Sequence, residues 1–87
     1  MDAGIAFGRV LRRLRVESGF TQEQFGFECD LRRTYVSILE LGQQQPSLTT
    51  ILKIAKALNC SAGELVAQVE EEVKMSPRKR GKSNISE

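Results

Sequence analysis

The amino-acid sequence predicts an all-α protein, a compact five-helix bundle. Apolar residues recur at helical spacing in every segment of the folded part, and no run alternates with a period of two. The 87 residues are 40% apolar, which is enough for one small core and too little for a second. Four Phe, one Tyr and no Trp are typical of such a bundle. Because this length gives a core of limited stability, we expect dimerisation to support it.

The first helix is predicted to begin at residue 2 or 3, to end at residue 17 or 18, and to be followed by Gly19 in the left-handed conformation. Its buried stripe has the spacing i, i+3, i+4, i+7 and consists of Phe7, Val10, Leu11 and Leu14. Three arginines lie off this stripe, namely Arg9, Arg12 and Arg13. A solvated helix face accounts for them.

The second helix is predicted to begin after Thr21. The Thr21 side chain can accept a hydrogen bond from the Gln24 backbone, and the Gln24 side chain can return to the Thr21 N–H, which is a capping box. The inward face contains Phe25, Gly26 and Cys29. A glycine inside a helix costs about 1 kcal/mol relative to alanine, so Gly26 indicates close approach of the backbone of the next helix.

The third helix follows a turn at Asp30 and Leu31, and Asp tolerates the left-handed conformation that such a turn requires. Val36 and Leu39 are predicted to point inward at i, i+3 spacing. Four polar residues then face outward toward a partner: Arg32, Arg33, Thr34 and Ser37. Two short helices joined in this way are the sequence form of a helix-turn-helix.

Gly42 is predicted to end the third helix, and Gln43, Gln44 and Gln45 form a polar loop after it. The fourth helix is predicted to begin after the cap residue Ser47. Its buried stripe is expected to consist of Leu48, Ile51, Leu52, Ala55 and Leu58, with Lys53 and Lys56 outside it. This helix is interpreted as core.

The fifth helix opens with a second capping box, from Ser61 to Glu64. Leu65 is expected to complete the monomer core. Val69 and Val73 extend beyond what so small a globule can cover, so we expect them to form a dimer interface, the alternative being a frayed and solvated helix end. The domain is therefore predicted to span residues 1–75, with a dimerisation helix at its C-terminal end.

The remaining residues, 76–87, form a polar and basic segment that we expect to be disordered. Its Pro-Arg-Lys-Arg-Gly-Lys run could touch phosphates or a minor groove, or could be only a charged tail. The net charge of +2 is a poor indicator of nucleic-acid binding. The basic residues nevertheless concentrate in the first helix, the third helix and the tail, as a DNA footprint would.

Several classes of function are excluded by composition. The chain has no His, and its two cysteines, Cys29 and Cys60, are far apart, so neither a zinc site nor a Cys-His nucleophile can be assembled. We expect no enzyme, no cofactor, no metal and no small-molecule ligand. The cysteines are interpreted as small apolar residues, with a disulfide as the alternative. No stretch approaches the about 18 apolar residues of a membrane span, so we expect a cytoplasmic protein.

The chain resembles the Cro/CI (Xre-like) helix-turn-helix family between Ile5 and Val66. The resemblance is carried, in family order, by Phe-Thr-Gln-Glu-Gln-Phe at 20–25, Leu-Arg-Arg-Thr-Tyr-Val-Ser at 31–37, Leu-Glu-Leu-Gly at 39–42, Pro-Ser-Leu at 46–48 and Ile-Ala-Lys-Ala-Leu at 54–58. It implies the fold of the lambda-repressor-like DNA-binding domains. The chain looks most like small phage-type repressors or restriction-modification controller proteins.

The resemblance also implies roles for individual residues. Gln22 would bind a phosphate, and Tyr35 would brace against the DNA backbone. The loop with Gln43 and Gln44 would approach another phosphate with its N–H groups, unless it is simply solvated. The residues expected in the major groove are Arg32, Arg33, Thr34 and Ser37. Arg15 would pair with Glu40 and hold the third helix on the first. The family usually has Gly at the turn and Ser or Thr before the third helix, where this chain has Asp30 and Arg32.

The predicted function is a sequence-specific transcriptional regulator that binds double-stranded DNA as a homodimer on a two-fold-related operator. The alternative is a protein-interaction module, such as an antitoxin-like protein or an adaptor, that uses the same fold.

Overall fold

The computed structural model describes residues 1–75, which contain five α-helices and no strand. The helices are α1 (Ala3–Glu17), α2 (Gln22–Cys29), α3 (Arg33–Glu40), α4 (Leu48–Ala57) and α5 (Ala62–Lys74). The all-α class predicted from the sequence is therefore confirmed. The predicted basic tail at 76–87 lies outside the described residues. Within residues 1–75, no helix is long and apolar enough to cross a membrane.

The helix boundaries follow from side-chain caps. Both predicted capping boxes are present: Thr21 and Gln24 exchange hydrogen bonds of 2.9 and 3.1 Å at the start of α2. Ser61 and Glu64 exchange bonds of 2.8 and 3.0 Å at the start of α5. The Asp2 side chain accepts from a backbone N–H of α1, and Ser47 does the same for α4. Each cap satisfies an N–H group that the first helical turn leaves without a partner.

All five helices contribute to one hydrophobic core. Its most completely buried side chains are Val10, Leu11, Phe25, Val36, Leu39, Ile54 and Leu65. Helix α1 packs against both α3 and α5, while α2 packs against α3 and α4. Helix α1 is therefore the element on which both α3 and α5 are seated.

The buried face of α4 differs from the one expected. Leu48 and Leu52 were predicted to be buried, but they are 71% and 54% exposed. Ile54 takes the interior position and is fully buried, with Ala55 beside it. Apolar residues occur on most sides of this helix, so their spacing alone does not select the side that packs. The packing of α2 and α5 selects it instead.

Helix α5 is covered more fully than the sequence indicated. Val69 is half-buried and packs against the core of its own monomer, and Val73 is also half-buried. The expectation that the monomer leaves Val69 uncovered is therefore wrong in part. The most exposed of the valines on α5 is Val66, at 41%.

Two glycines allow close contact between backbones. A Cβ atom built on Gly26 would lie 2.6 Å from the Leu31 carbonyl oxygen, which confirms the predicted close approach after α2. A Cβ atom on Gly8 would lie 2.5 Å from the Leu39 oxygen and 2.6 Å from the Glu40 oxygen. Side chains do not tolerate such distances, so both positions need glycine. The second contact seats the end of α3 directly on α1.

Candidate nucleic-acid interface

The turn between α2 and α3 is made by Asp30 in the left-handed conformation, with φ 58° and ψ 46°. The N–H of Leu31 donates to the Gly26 carbonyl at 2.8 Å and closes the end of α2. Asp takes this conformation with less strain than most residues because its short polar side chain can be accommodated. The turn expected at Asp30 and Leu31 is therefore present without the glycine usual in the family.

Helix α3 begins without a side-chain cap. Arg32 occupies the cap position in an extended conformation and makes no side-chain hydrogen bond to the helix. Its carbonyl accepts from the N–H groups of Tyr35 and Val36, at 3.0 and 3.1 Å. The first residue of the helix is consequently Arg33. The N–H groups of the first turn and the two arginine side chains all lie at this end of α3.

The two faces of α3 separate sharply. Val36 and Leu39 are fully buried, which fixes the rotation of the helix about its axis. Of the residues expected to contact DNA, Arg32, Arg33 and Thr34 are exposed, whereas Ser37 and Tyr35 are half-buried. Tyr35 packs partly against the core. The N-terminal end of α3, together with its cap residue, therefore presents two arginines and a threonine to solvent, while the opposite face is buried.

A buried polar cluster joins the end of α3 to α1. The guanidinium of Arg15 donates from Nε to Glu40 Oε2 at 2.6 Å and from Nη2 to Glu40 Oε1 at 3.1 Å. Its remaining Nη1 donates to the Phe20 carbonyl at 2.8 Å. The two side chains are only 11% and 4% exposed. This is a two-pronged guanidinium–carboxylate contact, the geometry with the greatest orientational specificity.

Gln22 joins the same cluster. Its Nε2 donates to Glu40 Oε1 at 3.1 Å, so that oxygen accepts from both Gln22 and Arg15. Gln22 and Arg33 also line one shallow depression of about 510 Å³, together with Arg15, Thr21 and Glu23. The structure thus brings together the residue expected to contact a phosphate and one of those expected to read bases.

The loop after α3 is only partly arranged as expected. Gln43 and Gln44 are both exposed, as a contact with DNA requires. The backbone N–H of Gln43, however, donates to the Ile38 carbonyl at 3.1 Å. That N–H is therefore engaged, so Gln43 offers a partner its side-chain amide rather than its backbone.

Both cysteines are free thiols. Burial raises the pKa of Cys29 to about 12, with the nearby Glu28 adding to the shift, so this thiol stays protonated at neutral pH. Burial also raises the pKa of Cys60, again with a contribution from a glutamate, Glu64. Protonated thiols are poor nucleophiles and poor metal ligands. Within residues 1–75 no cluster of three or more potential metal ligands occurs.

Two features of this region were not predicted from the sequence. The contact between Gln22 and Glu40 joins residues 18 positions apart, and no local pattern signals it. Phe27, on the outer side of α2, is 84% exposed. Its position off the inward face of Phe25 and Cys29 is consistent with the helical spacing, although an exposed aromatic residue was not anticipated.

Comparison with known proteins identifies the family. A helix-turn-helix family profile matches residues 11–65. The control protein C.BamHI of Bacillus amyloliquefaciens is 43% identical over 63 residues, which cover 71% of this chain and 78% of that protein. The control protein C.MunI of a Mycoplasma species is 39% identical over 72 residues, which cover 82% of this chain and 97% of that protein.

A solved structure gives the same result. The restriction-modification controller protein C.AhdI of Aeromonas hydrophila superposes with a TM-score of 0.68 at 44% identity, and the match covers 70% of this chain and 92% of that one. Its fold is the one predicted here, a helical bundle that contains a helix-turn-helix. The sequence match, the relatives and the fold agree, and the chain belongs to the Xre-like helix-turn-helix family of DNA-binding regulators.

Proposed function

We propose that this protein is a sequence-specific transcriptional regulator that binds a two-fold-related operator as a homodimer. The observation that carries the proposal is the seating of α3, whose buried Val36 and Leu39 turn Arg33 and Thr34 outward. Arginine is the side chain best suited to bidentate contact with guanine, and threonine offers both a hydroxyl and a methyl group to base edges. Such a protein would act in the cytoplasm, without a cofactor and without catalysing a reaction.

The relatives support a regulatory role. Both relatives reported above are named control proteins, and the matched solved structure is described as a restriction-modification controller protein. For single-domain regulators of this size, the effect depends on where the protein binds DNA: it either covers a promoter or contacts polymerase. We propose the same kind of action for this chain.

The base-reading role of Arg33 can be tested directly. DNA fragments that the protein selects from its source genome would first define the operator. Arg33→Ala should then lose about 1–3 kcal/mol of binding energy on the operator and little on random DNA. An equal loss on both DNAs would make Arg33 a phosphate contact only. If the unaltered protein selects no fragment, the alternative role as a protein-interaction module gains support.

Gln22→Ala serves as the matched control in the same assay. A phosphate contact carries no sequence information, so this substitution should weaken binding to operator and random DNA alike. A loss confined to the operator would contradict the phosphate role of Gln22.

The proposed dimer interface lies on α4 and α5. Val69 and Val73 were predicted from the sequence, and the structure adds exposed apolar residues next to them. Ile51 of α4 lines one groove with Val66 and Val69 of α5, and the two helices pack against each other. Leu48, Leu52 and Val66 are the exposed large apolar side chains of these two helices within the described residues 48–74. A two-fold contact there would cover them and would hold two α3 helices about 34 Å apart, one turn of B-DNA.

The oligomeric state tests this interface. Val69→Asp with Val73→Asp should weaken the dimer, but Val69 also packs against the monomer core, so unfolding could confuse the result. Leu52→Asp with Val66→Asp changes only exposed positions. This variant should sediment as a folded monomer with unchanged circular dichroism. Relative to the unaltered protein, its binding to the full operator should be weakened far more than its binding to a single half-site. If it remains a dimer, the interface lies elsewhere.

A further inference from the structure

Glu40 has an arrangement that exceeds what an ion pair with Arg15 requires. Its carboxylate lies at the end of α3, is almost closed to solvent, and accepts three hydrogen bonds within the molecule. Two come from Arg15, and the third comes from Gln22, the first residue of α2. The cluster therefore links α1, α2 and α3 through one side chain.

The chemistry of the third bond fixes the orientation of the Gln22 amide. A free glutamine amide can present either its oxygen or its NH₂ group to a neighbour, but an ionised carboxylate only accepts hydrogen bonds. Glu40 thus requires the NH₂ group of Gln22 to face it, at 3.1 Å. An NH₂ group carries two hydrogens, and the second one remains available for another acceptor. A DNA phosphate is such an acceptor.

Arg15 makes this arrangement compatible with DNA. A bare carboxylate beside the binding face would repel phosphates, but two hydrogen bonds from the Arg15 guanidinium neutralise the charge of Glu40. Gln22 itself is half-buried and lines the depression that also contains Arg33. An amide held in one orientation before binding loses less freedom when it contacts a ligand.

We propose that Glu40 is a positioning residue for DNA binding: its carboxylate holds the Gln22 amide so that Gln22 bridges Glu40 and a DNA phosphate. This inference rests on the proposed DNA-binding function. Glu40 itself does not touch the DNA. Its contribution to affinity passes through Gln22, whereas a merely structural Glu40 would act independently of the residue at position 22.

The test is a double-mutant cycle on binding to a duplex of random sequence, which suffices because phosphate contacts are independent of sequence. Gln22→Ala and Glu40→Gln should each weaken binding by about 3- to 10-fold, the range expected for one hydrogen bond. The double variant should be no weaker than Gln22→Ala alone. Losses that multiply would overturn the proposal. Binding is measured at a temperature at which circular dichroism shows that the unaltered protein, both single variants and the double variant are folded.

A second measurement uses the unaltered protein, so it tests the proposal even if Glu40→Gln does not fold. In the free protein, the side-chain NH₂ of Gln22 should exchange its hydrogens more slowly with solvent than that of exposed Gln43, the matched control. Equal exchange at both amides would overturn the proposal. If the unaltered protein binds no DNA, the proposed function fails. If it binds DNA but the losses multiply, only the role of Glu40 fails.

Discussion

Two arginines only two positions apart on α1 enter opposite environments. Arg15 turns inward to Glu40, at the junction of α1, α2 and α3, where the two side chains are 11% and 4% exposed. Arg13 turns outward to α5, where it contacts Glu72 at 3.3 Å and Gln68 at 3.2 Å. There the arginine and glutamate side chains are 44% and 22% exposed. Helix α1 thus contacts α3 through a buried ion pair and α5 through a solvent-exposed one.

The difference shows what each contact can do. Water screens the outer contact, so it adds little to stability and allows the end of α5 to adjust. The inner contact is costly to desolvate, and its net contribution to stability can be close to zero. Its two-pronged geometry, however, is specific in orientation and constrains how α3 sits on α1. The helix proposed to read bases is therefore held by the more specific contact, and the helix proposed for dimerisation is held by the less specific one.

The largest expected effect comes from breaking the inner contact from one side. Arg15→Met should lower the free energy of unfolding by about 3–5 kcal/mol, because it leaves the Glu40 carboxylate buried without a charged partner. Urea denaturation followed by circular dichroism measures this loss. Arg13→Met is the matched control on the same helix. A loss under about 1 kcal/mol for Arg15→Met would show that water reaches Glu40.

A smaller effect is expected when both partners of the inner contact are replaced. Arg15→Met with Glu40→Leu should recover most of the stability that Arg15→Met alone loses, since no unpaired charge remains. DNA binding should stay impaired, because neither the seat of α3 nor the partner of Gln22 is restored. Full recovery of DNA binding would show that orientation does not depend on this contact.

The outer contact should contribute less still. Arg13→Met should cost about 0.2–1 kcal/mol at low ionic strength, and salt should remove the difference from the unaltered protein. Urea denaturation at low and high sodium chloride concentration measures both quantities. A cost that persists at high salt would indicate that the hydrocarbon part of Arg13, rather than its charge, packs on α5.

The smallest effect concerns the capping box of α5. A hydrogen bond from the Ser61 backbone lowers the pKa of Glu64 below its usual value of 4.5. The folded state thus favours the ionised form, so the contribution to stability is present above the unfolded pKa and is lost as the pH falls through the folded pKa. The melting temperature of Glu64→Gln should accordingly fall less steeply below about pH 4.5 than that of the unaltered protein. Identical declines would contradict the assignment.

Features set by local chemistry were predictable from the sequence. The starts of α2 and α5 are each indicated by a four-residue capping pattern, Thr21 with Gln24 and Ser61 with Glu64. All four hydrogen bonds of these patterns are present. The turn at Asp30 was equally predictable, since few residues accept a positive φ. The family resemblance added the contact of Arg15 with Glu40, which spacing alone does not indicate.

Features set by packing between distant segments were not predictable. Leu48 and Leu52 were placed in the core because they share a helical stripe with Ile51, yet α4 turns a neighbouring stripe inward. The third hydrogen bond of Glu40 depends on how α2 and α3 meet, which no pattern in the chain encodes. The hydrogen bond from the Gln43 N–H to the Ile38 carbonyl is, by contrast, local: it closes the end of α3 around Gly42, whose φ is 74°.

The glycine at position 8 has a consequence for how binding preference can evolve. Because the Leu39 and Glu40 oxygens would lie 2.5 and 2.6 Å from any Cβ atom there, even one added methyl group would push α3 away from α1. Such a change would displace all the side chains of α3 together, including those proposed to read bases. For the proposed regulator, single exchanges on the exposed face of α3, at Arg33 or Thr34, are therefore a more accessible route to a new operator preference. Under this proposal, binding preference can change at the exposed face of α3 while Gly8 keeps the contact between α1 and α3 unchanged.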